Sequence, residues 1–288
     1  MTISINPQSI VWGTFTGLEP PVAEWSTQVD YWEDYTRRFF RSNGKDYAAN
    51  DSNVVRWLTA TDRAPFSHML QALLPALSER AEVADVDLVI FAHWLPDIHL
   101  GTSVTNLALH SLGLDQGLGF AISDRGRSAP LFAMHCIDRY LTRDRRKALL
   151  IVMDQKHLLY KSPVVADLDP LNSASMMVLS RNDDGPLHYR GYYRQHGLTR
   201  ERLSAEIAGV AEHFGLYPAD CVLVADGDLI VVSDWPGPRL QQEPRLLCSA
   251  PLIALANHGE QGRDYLLITY ESECLSGVCF SAQERSRS

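Results

Sequence analysis

Residues 117–142 read GLGFAISDRGRSAPLFAMHCIDRYLT and combine a strand, a sharp turn and a helix. The pattern predicts a short buried strand over residues 119–123 and a tight turn over residues 124–127. Ser128 is predicted as the N-cap of the helix that follows, with Pro130 in its first turn, where a missing N–H costs nothing. That helix is apolar over most of its circumference, which is typical of a central helix packed on several sides.

The start of this helix is a type of site where enzymes place a nucleophile. The helix dipole and the free N–H groups lower the pKa of a thiol there and stabilise a developing oxyanion. In this chain the turn reads Gly126-Arg127-Ser128 and contains no cysteine. The functional interpretation therefore depends on what stands in place of a nucleophile.

Composition excludes several classes of protein. The chain has 288 residues, 45% of them hydrophobic and 21% charged, and a formal net charge of −9. This charge argues against a general nucleic-acid binder and against a protein that binds anionic membranes. The N-terminus lacks a signal-peptide pattern, and no apolar run reaches the ~18 residues of a membrane span.

The cysteines indicate a reducing compartment. Their number is five, which is odd, and no two of them form a CxxC pair, so neither a disulfide framework nor a zinc ribbon is predicted. They are Cys136, Cys221, Cys248, Cys274 and Cys279. We expect a cytoplasmic protein in which these thiols act mainly as small apolar groups, Cys274 and Cys279 included.

Strands alternate with helices along the chain, which predicts an α/β class with a largely parallel or mixed sheet. Continuous apolar runs at residues 85–93 and 147–154 predict strands buried on both faces. Other predicted strands span 8–15, 189–195, 220–224, 229–234, 265–270 and 277–281, and helices span 62–82, 102–113 and 249–257, with another capped by Thr199. Residues 182–186, Asn-Asp-Asp-Gly-Pro, predict a linker. The pattern then repeats in shorter form, which predicts two similar halves, residues 1–184 and 185–288.

Several stretches resemble, in order and spacing, the thiolase-fold condensing enzymes, specifically the β-ketoacyl-ACP synthase III branch. They are Asp85–Ile90 with Leu95-Pro96-Asp97, Leu112-Gly113-Leu114 with Gly119–Ile122, Ala129–Met134, Lys147–Val152, Ile253–Leu255, Gly262–Ile268 and Gly277-Val278. The resemblance covers about residues 54–284 and no single motif in it is specific. It implies a layered αβαβα fold of two similar halves with mixed five-stranded sheets.

The family's chemistry uses a Cys, a His and an Asn. The resemblance places the Cys at Arg127, or at Gly126 if the turn is one residue longer, the His at Asp226 and the Asn at Arg245. An arginine cannot accept an acyl group, and an aspartate has the wrong charge to stabilise an oxyanion. Glu271–Cys274 replaces a glycine-rich loop of the family.

Three losses within a retained scaffold imply a non-catalytic subunit. The chain is most similar to the inactive partners of heterodimeric ketosynthases such as the alkylquinolone-forming synthase. The resemblance then implies support of an active ketosynthase in a heterodimer or heterotetramer, or a self-dimer, across the sheet edge beside the turn. No cofactor is expected besides an acyl-CoA or acyl-carrier-protein thioester as substrate. The basic run Arg143–Lys147 is typically a solvated helix end, and docking of an acyl carrier protein is its alternative.

Two other functions stay open. Ser128 is an alternative nucleophile for an acyltransferase, which needs a general base; His135 points the wrong way and His258 is distant. The old acyl tunnel alternatively serves as the pocket of an acyl-ligand-binding protein. His93, Asp97 and His99 invite a metal interpretation, but their spacing matches no strong motif, and we expect a structural loop and no metal.

Overall fold

A computed structural model of the chain describes residues 2–181, 185–259 and 262–282. In these ranges the strands are β1 Ser4–Ile5, β2 Val11–Phe15, β3 Leu88–Ala92, β4 Leu118–Ile122, β5 Lys147–Asp154, β6 Asn172–Ser180, β7 Leu187–Gln195, β8 Cys221–Asp226, β9 Arg239–Gln242, β10 Asp264–Glu271 and β11 Cys274–Ser281. The α-helices are α1 Val29–Ser42, α2 Val54–Thr59, α3 Phe66–Arg80, α4 Val104–Ser111, α5 Ala129–Tyr140, α6 Pro163–Leu168, α7 Leu203–His213, α8 Gly227–Ser233 and α9 Ala250–His258. None of these helices is long and apolar enough to cross a membrane.

The strands repeat one topology twice. In the first half β4, β3 and β5 are parallel neighbours, β6 follows antiparallel to β5, and β1 and β2 pair with β6. In the second half β9, β8 and β10 are parallel neighbours, β11 follows antiparallel, and β7 pairs with β11. The predicted α/β fold of two similar halves is thereby confirmed.

One feature of the sheet was not predicted. The short strand β1 pairs antiparallel with both β6 and β7, so the two halves form one continuous sheet instead of two separate ones. Residues 182–184 of the predicted linker lie outside the described residues. The division into domains 1–184 and 185–288 therefore stays a prediction.

Helices α5 and α9 are the central helices of the two halves. Each is preceded by a 3-10 turn, and the same Ser-Ala-Pro-Leu tetrapeptide joins the turn to the helix, at residues 128–131 and 249–252. The α5 helix contacts strands of both halves, β3 and β5 as well as β7. The largest buried apolar cluster includes Leu131, Met134, Leu150, Val224, Leu252, Leu255 and Leu267. One core thus unites both halves.

The predicted strand at residues 229–234 is wrong. Residues 229–233 belong to α8 and Asp234 is its C-cap, whereas the strand of this region is β9, at residues 239–242. Leu229 and Ser233, four residues apart, are buried, whereas Val231 between them is 80% exposed. That spacing is helical, and the run of β-branched residues mimicked a strand because β propensity is a weak signal.

The strand before the turn is not buried. It spans residues 118–122 and lies at one edge of the sheet, where Leu118 is 42% exposed and Ala121 is exposed. The other edge, β9, carries Arg239, Gln241 and Gln242 instead. Apolarity alone did not distinguish an edge strand from a central one.

Two predicted caps are at the predicted positions but make no side-chain cap bond. Ser128 is the N-cap residue of α5, and its hydroxyl donates to the carbonyl of Arg125 at 2.7 Å, because a 3-10 turn at residues 126–128 precedes the helix. A similar turn at residues 200–202 leads into α7, and Thr199 is the N-cap residue of that turn. The other predicted elements are present with ends shifted by a few residues, and Pro75 lies inside α3.

Substitution of a buried and of an exposed valine tests this description of the core. Val152, on β5, is fully buried, whereas Val231 is exposed. We expect Val152→Ala to lower the free energy of unfolding by about 2 kcal/mol, from lost apolar burial and the cavity left behind. The matched Val231→Ala should change it by less than ~0.5 kcal/mol in the same urea titration. Equal losses in both variants would contradict the fold.

Candidate active site

The turn before α5 lies in close contact with the carboxylate of Glu271. Gly126 has φ +56°, a conformation that side chains rarely adopt. A Cβ there would lie 2.1 Å from a carboxylate oxygen of Glu271. Glycine is therefore required here both for the backbone conformation and for the close approach of Glu271.

Arg127 lies at the centre of an ion cluster. Its Nη1 donates to Oδ2 of Asp226 at 3.1 Å, and its Nε lies 3.9 Å from Oε1 of Glu271. Its Nη2 lies 3.4 Å from the Tyr270 carbonyl oxygen. The Arg127 and Asp226 side chains are only 14% and 16% exposed. One guanidinium from the first half thus binds the carboxyl ends of two strands, β8 and β10, of the second half.

Glu271 also forms a hydrogen bond with the backbone of the turn before α5. Its Oε2 accepts the N–H of Arg127 at 2.9 Å. A free N–H at the start of a helix is the type of donor that stabilises an oxyanion. Here a carboxylate of the chain itself takes that donor.

A buried carboxyl–thiol pair lies next to the turn. Asp154, at the end of β5, is fully buried and accepts backbone N–H groups from Trp94 at 2.9 Å, Leu95 at 2.8 Å and Cys248 at 3.0 Å. The Cys248 thiol lies 3.5 Å from the carbonyl oxygen of Gly126. Asp154 therefore joins the loop after β3, the end of β5 and the loop before α9 at one point.

Burial sets the ionisation of this pair. It raises the pKa of the Asp154 carboxyl, although the three backbone N–H groups oppose the shift. Burial and the adjacent carboxyl raise the pKa of the Cys248 thiol well above its usual value. The thiol is therefore protonated at neutral pH and is a poor nucleophile.

The residue before Cys248 has an unusual backbone. Leu247 is buried and has φ 47° and ψ −121°, which a side chain other than glycine adopts only under strain. It occupies the place in the second half that Gly126 occupies in the first, two residues before the shared Ser-Ala-Pro-Leu. By the same relation Cys248 corresponds to Arg127. Sequence analysis missed Cys248, and this repeated tetrapeptide is the signal that identifies it.

The structure brings together some of the predicted site residues. Arg127 and Asp226 are in contact, and Glu271, from the segment that replaces the glycine-rich loop, joins them. Arg245 lies elsewhere: its Nη2 pairs with Oδ2 of Asp169 at 2.6 Å, both side chains being well exposed. Its match to the family's Asn stays a prediction, and the loop before α9 brings Cys248, not Arg245, next to the turn.

Three other candidate residues make contacts within the chain. The Ser128 hydroxyl is buried, and its one hydrogen bond in the described residues goes to the Arg125 carbonyl. His135 stacks on Tyr192 with ring centroids 5.4 Å apart. The Nε2 of His99 lies 2.7 Å from Oε1 of Glu19.

Two further residues of this segment make hydrogen bonds within the chain. His93 bonds the Leu95 carbonyl at 2.8 Å, and Asp97 accepts the N–H of Phe66 at 3.0 Å. No group of three or more potential ligands with metal-binding geometry occurs within residues 2–181, 185–259 and 262–282. This segment acts as a bonded loop in the structure.

The fold is that of the thiolase-like condensing enzymes. Among solved structures, 3-oxoacyl-ACP synthase III (FabH) from Pseudomonas aeruginosa PAO1 superposes with a TM-score of 0.66, at 13% identity over 98% of both chains. AbyA1, a tetronic acid condensing enzyme, gives 0.65 at 16% identity over 97% of this chain and 100% of its own. OleA from Xanthomonas campestris gives 0.65 at 16% identity over 98% of both chains.

These likenesses show the fold, since the identities are low. No family model matches the sequence, and no curated protein matches it. The chemistry must therefore be argued from the residues of the site itself.

Removal of the central cation tests the ion cluster. Arg127→Met leaves two carboxylates facing each other without a counter-ion, so we expect a loss of about 3 kcal/mol in the free energy of unfolding. The double variant Arg127→Met with Asp226→Asn should recover part of that loss. Urea titration at neutral pH measures both.

Arg245→Met is the matched control, because the Arg245–Asp169 pair is exposed. We expect it to change the free energy of unfolding by less than ~1 kcal/mol. If both arginine substitutions lowered the free energy of unfolding equally, the Arg127 cluster would contribute no more to stability than an exposed ion pair does.

Thiol labelling tests the state of Cys248. In the native chain at pH 8 we expect iodoacetamide to label the half-buried Cys274 and to leave Cys248 unmodified, because burial and a raised pKa both suppress thiolate formation. Peptide mass mapping with and without urea gives the comparison. Labelling of Cys248 in the folded protein would overturn this assignment.

Proposed function

We propose that the chain is a non-catalytic subunit that supports an active thiolase-fold condensing enzyme in acyl-thioester condensation for a specialised metabolite. The observation that carries this proposal is the Arg127–Asp226–Glu271 cluster. The Arg127 guanidinium, at the position that the resemblance aligns with the family's nucleophile, is paired with Asp226, and the Glu271 carboxylate accepts the Arg127 N–H. Acyl transfer needs both groups free.

The remaining nucleophiles near the turn support the same conclusion. The Cys248 thiol is fully buried and protonated, and the Ser128 hydroxyl donates to a backbone carbonyl. A serine nucleophile needs a base that accepts its proton. The contacts of Ser128 do not include one within the described residues.

The exposed edge strand β4 favours the binding of a partner subunit. Its sequence Leu-Gly-Phe-Ala-Ile is apolar, and Phe120 packs on the exposed Tyr140 with centroids 5.5 Å apart. An exposed apolar edge strand pairs readily with another strand and is normally covered. The partner that fits is an active condensing enzyme of the same fold, or a second copy of this chain. The five free thiols fit a reducing cytoplasm.

Co-expression with a condensing enzyme of the same genome that retains Cys, His and Asn tests the proposal. We expect one complex on size exclusion and, after incubation with acyl-CoA, an acyl mass on the active partner alone. An acyl adduct on this chain that disappears in Ser128→Ala would make it an acyltransferase. A purified single chain that condenses acyl thioesters would equally refute the proposal.

A matched pair of edge variants identifies the interface. Leu118→Lys places a charge on the apolar edge β4, and we expect it to weaken the complex at least tenfold, since burying an unpaired charge is costly. Gln241→Lys places the same charge on the opposite edge, β9, and should leave assembly unchanged. Equal effects, or none, would exclude β4 as the interface.

A further inference from the structure

A small, mainly apolar cavity of about 90 Å³ lies between α1 and the body of the first half. Tyr35, Phe39 and Leu100 line it and are 37% to 47% exposed, so they mark its open side. Trp57 and Leu158 also line it and are both buried. The cavity is therefore open to solvent on one side and closed by packed side chains on the other.

Aromatic rings make this cavity suited to a planar ligand. Phe39 and Tyr160 both line it, and their rings lie 20° from parallel with centroids 6.5 Å apart. Phe40, on the same helix as Phe39, packs edge-on against Tyr160 at 5.1 Å and holds that ring in place. Trp57 is held in turn by Trp32 of α1, at 4.8 Å. A planar ring that enters the cavity can therefore stack on these side chains without first ordering them.

The volume limits the ligand to a single ring. An engineered apolar cavity of about 150 Å³ holds benzene. At about 90 Å³, and open on one side, this cavity accepts one six-membered ring and excludes an extended chain. In small-molecule sites a few polar groups then decide which molecule is bound.

One buried ring nitrogen in the wall lacks a partner. His157 lines the cavity and is only 3% exposed. Its Nε2 lies 2.7 Å from Oδ1 of Asp62. Because a carboxylate accepts hydrogen bonds, Nε2 carries the hydrogen and Nδ1 of the neutral ring keeps a lone pair. In the described part of the chain Nδ1 has no hydrogen-bond partner, so a ligand that donates one hydrogen bond satisfies it.

The surroundings of His157 keep its ring neutral and its position fixed. Burial lowers the pKa of the imidazole, although Asp62 opposes the shift, so the ring is neutral at pH 7. The backbone N–H of His157 donates to Oε1 of Gln155 at 2.7 Å. Nε2 of Gln155 donates in turn to the carbonyls of His157 and Pro96, at 2.7 and 2.5 Å. The acceptor is therefore in place before a ligand arrives.

The charges around the cavity favour a neutral ligand. Asp97 lines the cavity, and its carboxylate opposes an anion. Arg56 and Lys161 line a neighbouring cavity that also contacts His157, and they oppose a cation. A neutral hydroxyl donates a hydrogen bond to Nδ1 without either repulsion.

We propose that this cavity is a non-covalent binding site for a small single-ring phenol. The ring stacks on Phe39 and Tyr160 and leaves water. The hydroxyl donates to Nδ1 of His157. Ring shape and volume select a single aromatic ring, and the unpartnered nitrogen selects one that carries a donor.

This inference goes beyond the proposed function and does not depend on it. It concerns one chain, requires no partner, and uses none of the residues of the Arg127 cluster. Its failure would leave the subunit proposal intact, and failure to assemble with a condensing enzyme would leave this site intact.

Ligand-observed NMR titration of the single chain with phenol at neutral pH tests the aromatic wall. We expect saturable binding that weakens about fivefold in Phe39→Ser and in Tyr160→Leu, because each variant loses a stacking face. Phe39 is exposed, so its substitution tests the site without disturbing the core. Val231→Ser, an exposed substitution in the second half, should bind phenol like the parent chain. Absence of saturable binding, or unchanged affinity in both cavity variants, would overturn the proposal.

Two analogues of phenol test the hydrogen bond and the ring shape on the unaltered chain. Fluorobenzene is similar in size but lacks the donor, so it leaves Nδ1 of His157 unpaired, and we expect it to bind about fivefold more weakly. Cyclohexanol keeps the donor but is not planar, and we expect a similar loss. Fluorobenzene binding as tightly as phenol would refute the role of His157. Equal binding of cyclohexanol would refute the stacking on Phe39 and Tyr160.

Discussion

The contact between the Arg127 guanidinium and two carboxylates is the interaction on which the site depends. The cation comes from the turn before α5, and Asp226 and Glu271 come from the ends of β8 and β10. Charges with so little exposure are stable only as a complete set, because each unpaired member would cost several kcal/mol. The turn before α5 is thus part of a closed electrostatic contact between the halves.

Much of the architecture could be predicted because continuous apolar runs in the sequence indicate buried strands. The prediction for β5, residues 147–154, is correct at both ends, since all eight of its residues are buried and the run is continuously apolar. The helix at 227–233 was mistaken for a strand because its β-branched residues carry the wrong local propensity. The exposure of β4 could not be predicted, since position within a sheet depends on contacts between distant segments.

The site was predictable in part for the same reason. Arg127 and Asp226 follow strands whose order fixes where they meet, and the structure brings the two side chains into contact. Arg245 lies outside this contact because the loop before α9 has an irregular backbone at Leu247, which spacing alone does not reveal. The match of these three residues to the family's Cys, His and Asn stays a prediction. Glu271 was noted only as a replacement, since its role depends on an approach to Gly126 that only coordinates show.

The close approach of Glu271 to Gly126 limits the substitutions that this site tolerates. Any side chain at position 126 would collide with the Glu271 carboxylate, whose oxygen lies 2.1 Å from the place of a Cβ. A side chain at position 126 therefore requires the Glu271 carboxylate to turn away, which breaks its bond to the Arg127 N–H. Loss of Glu271 would leave Arg127 with one fewer counter-ion, at a cost in stability. Positions 126 and 271 thus constrain each other, and a substitution at either one disturbs the contact between the halves.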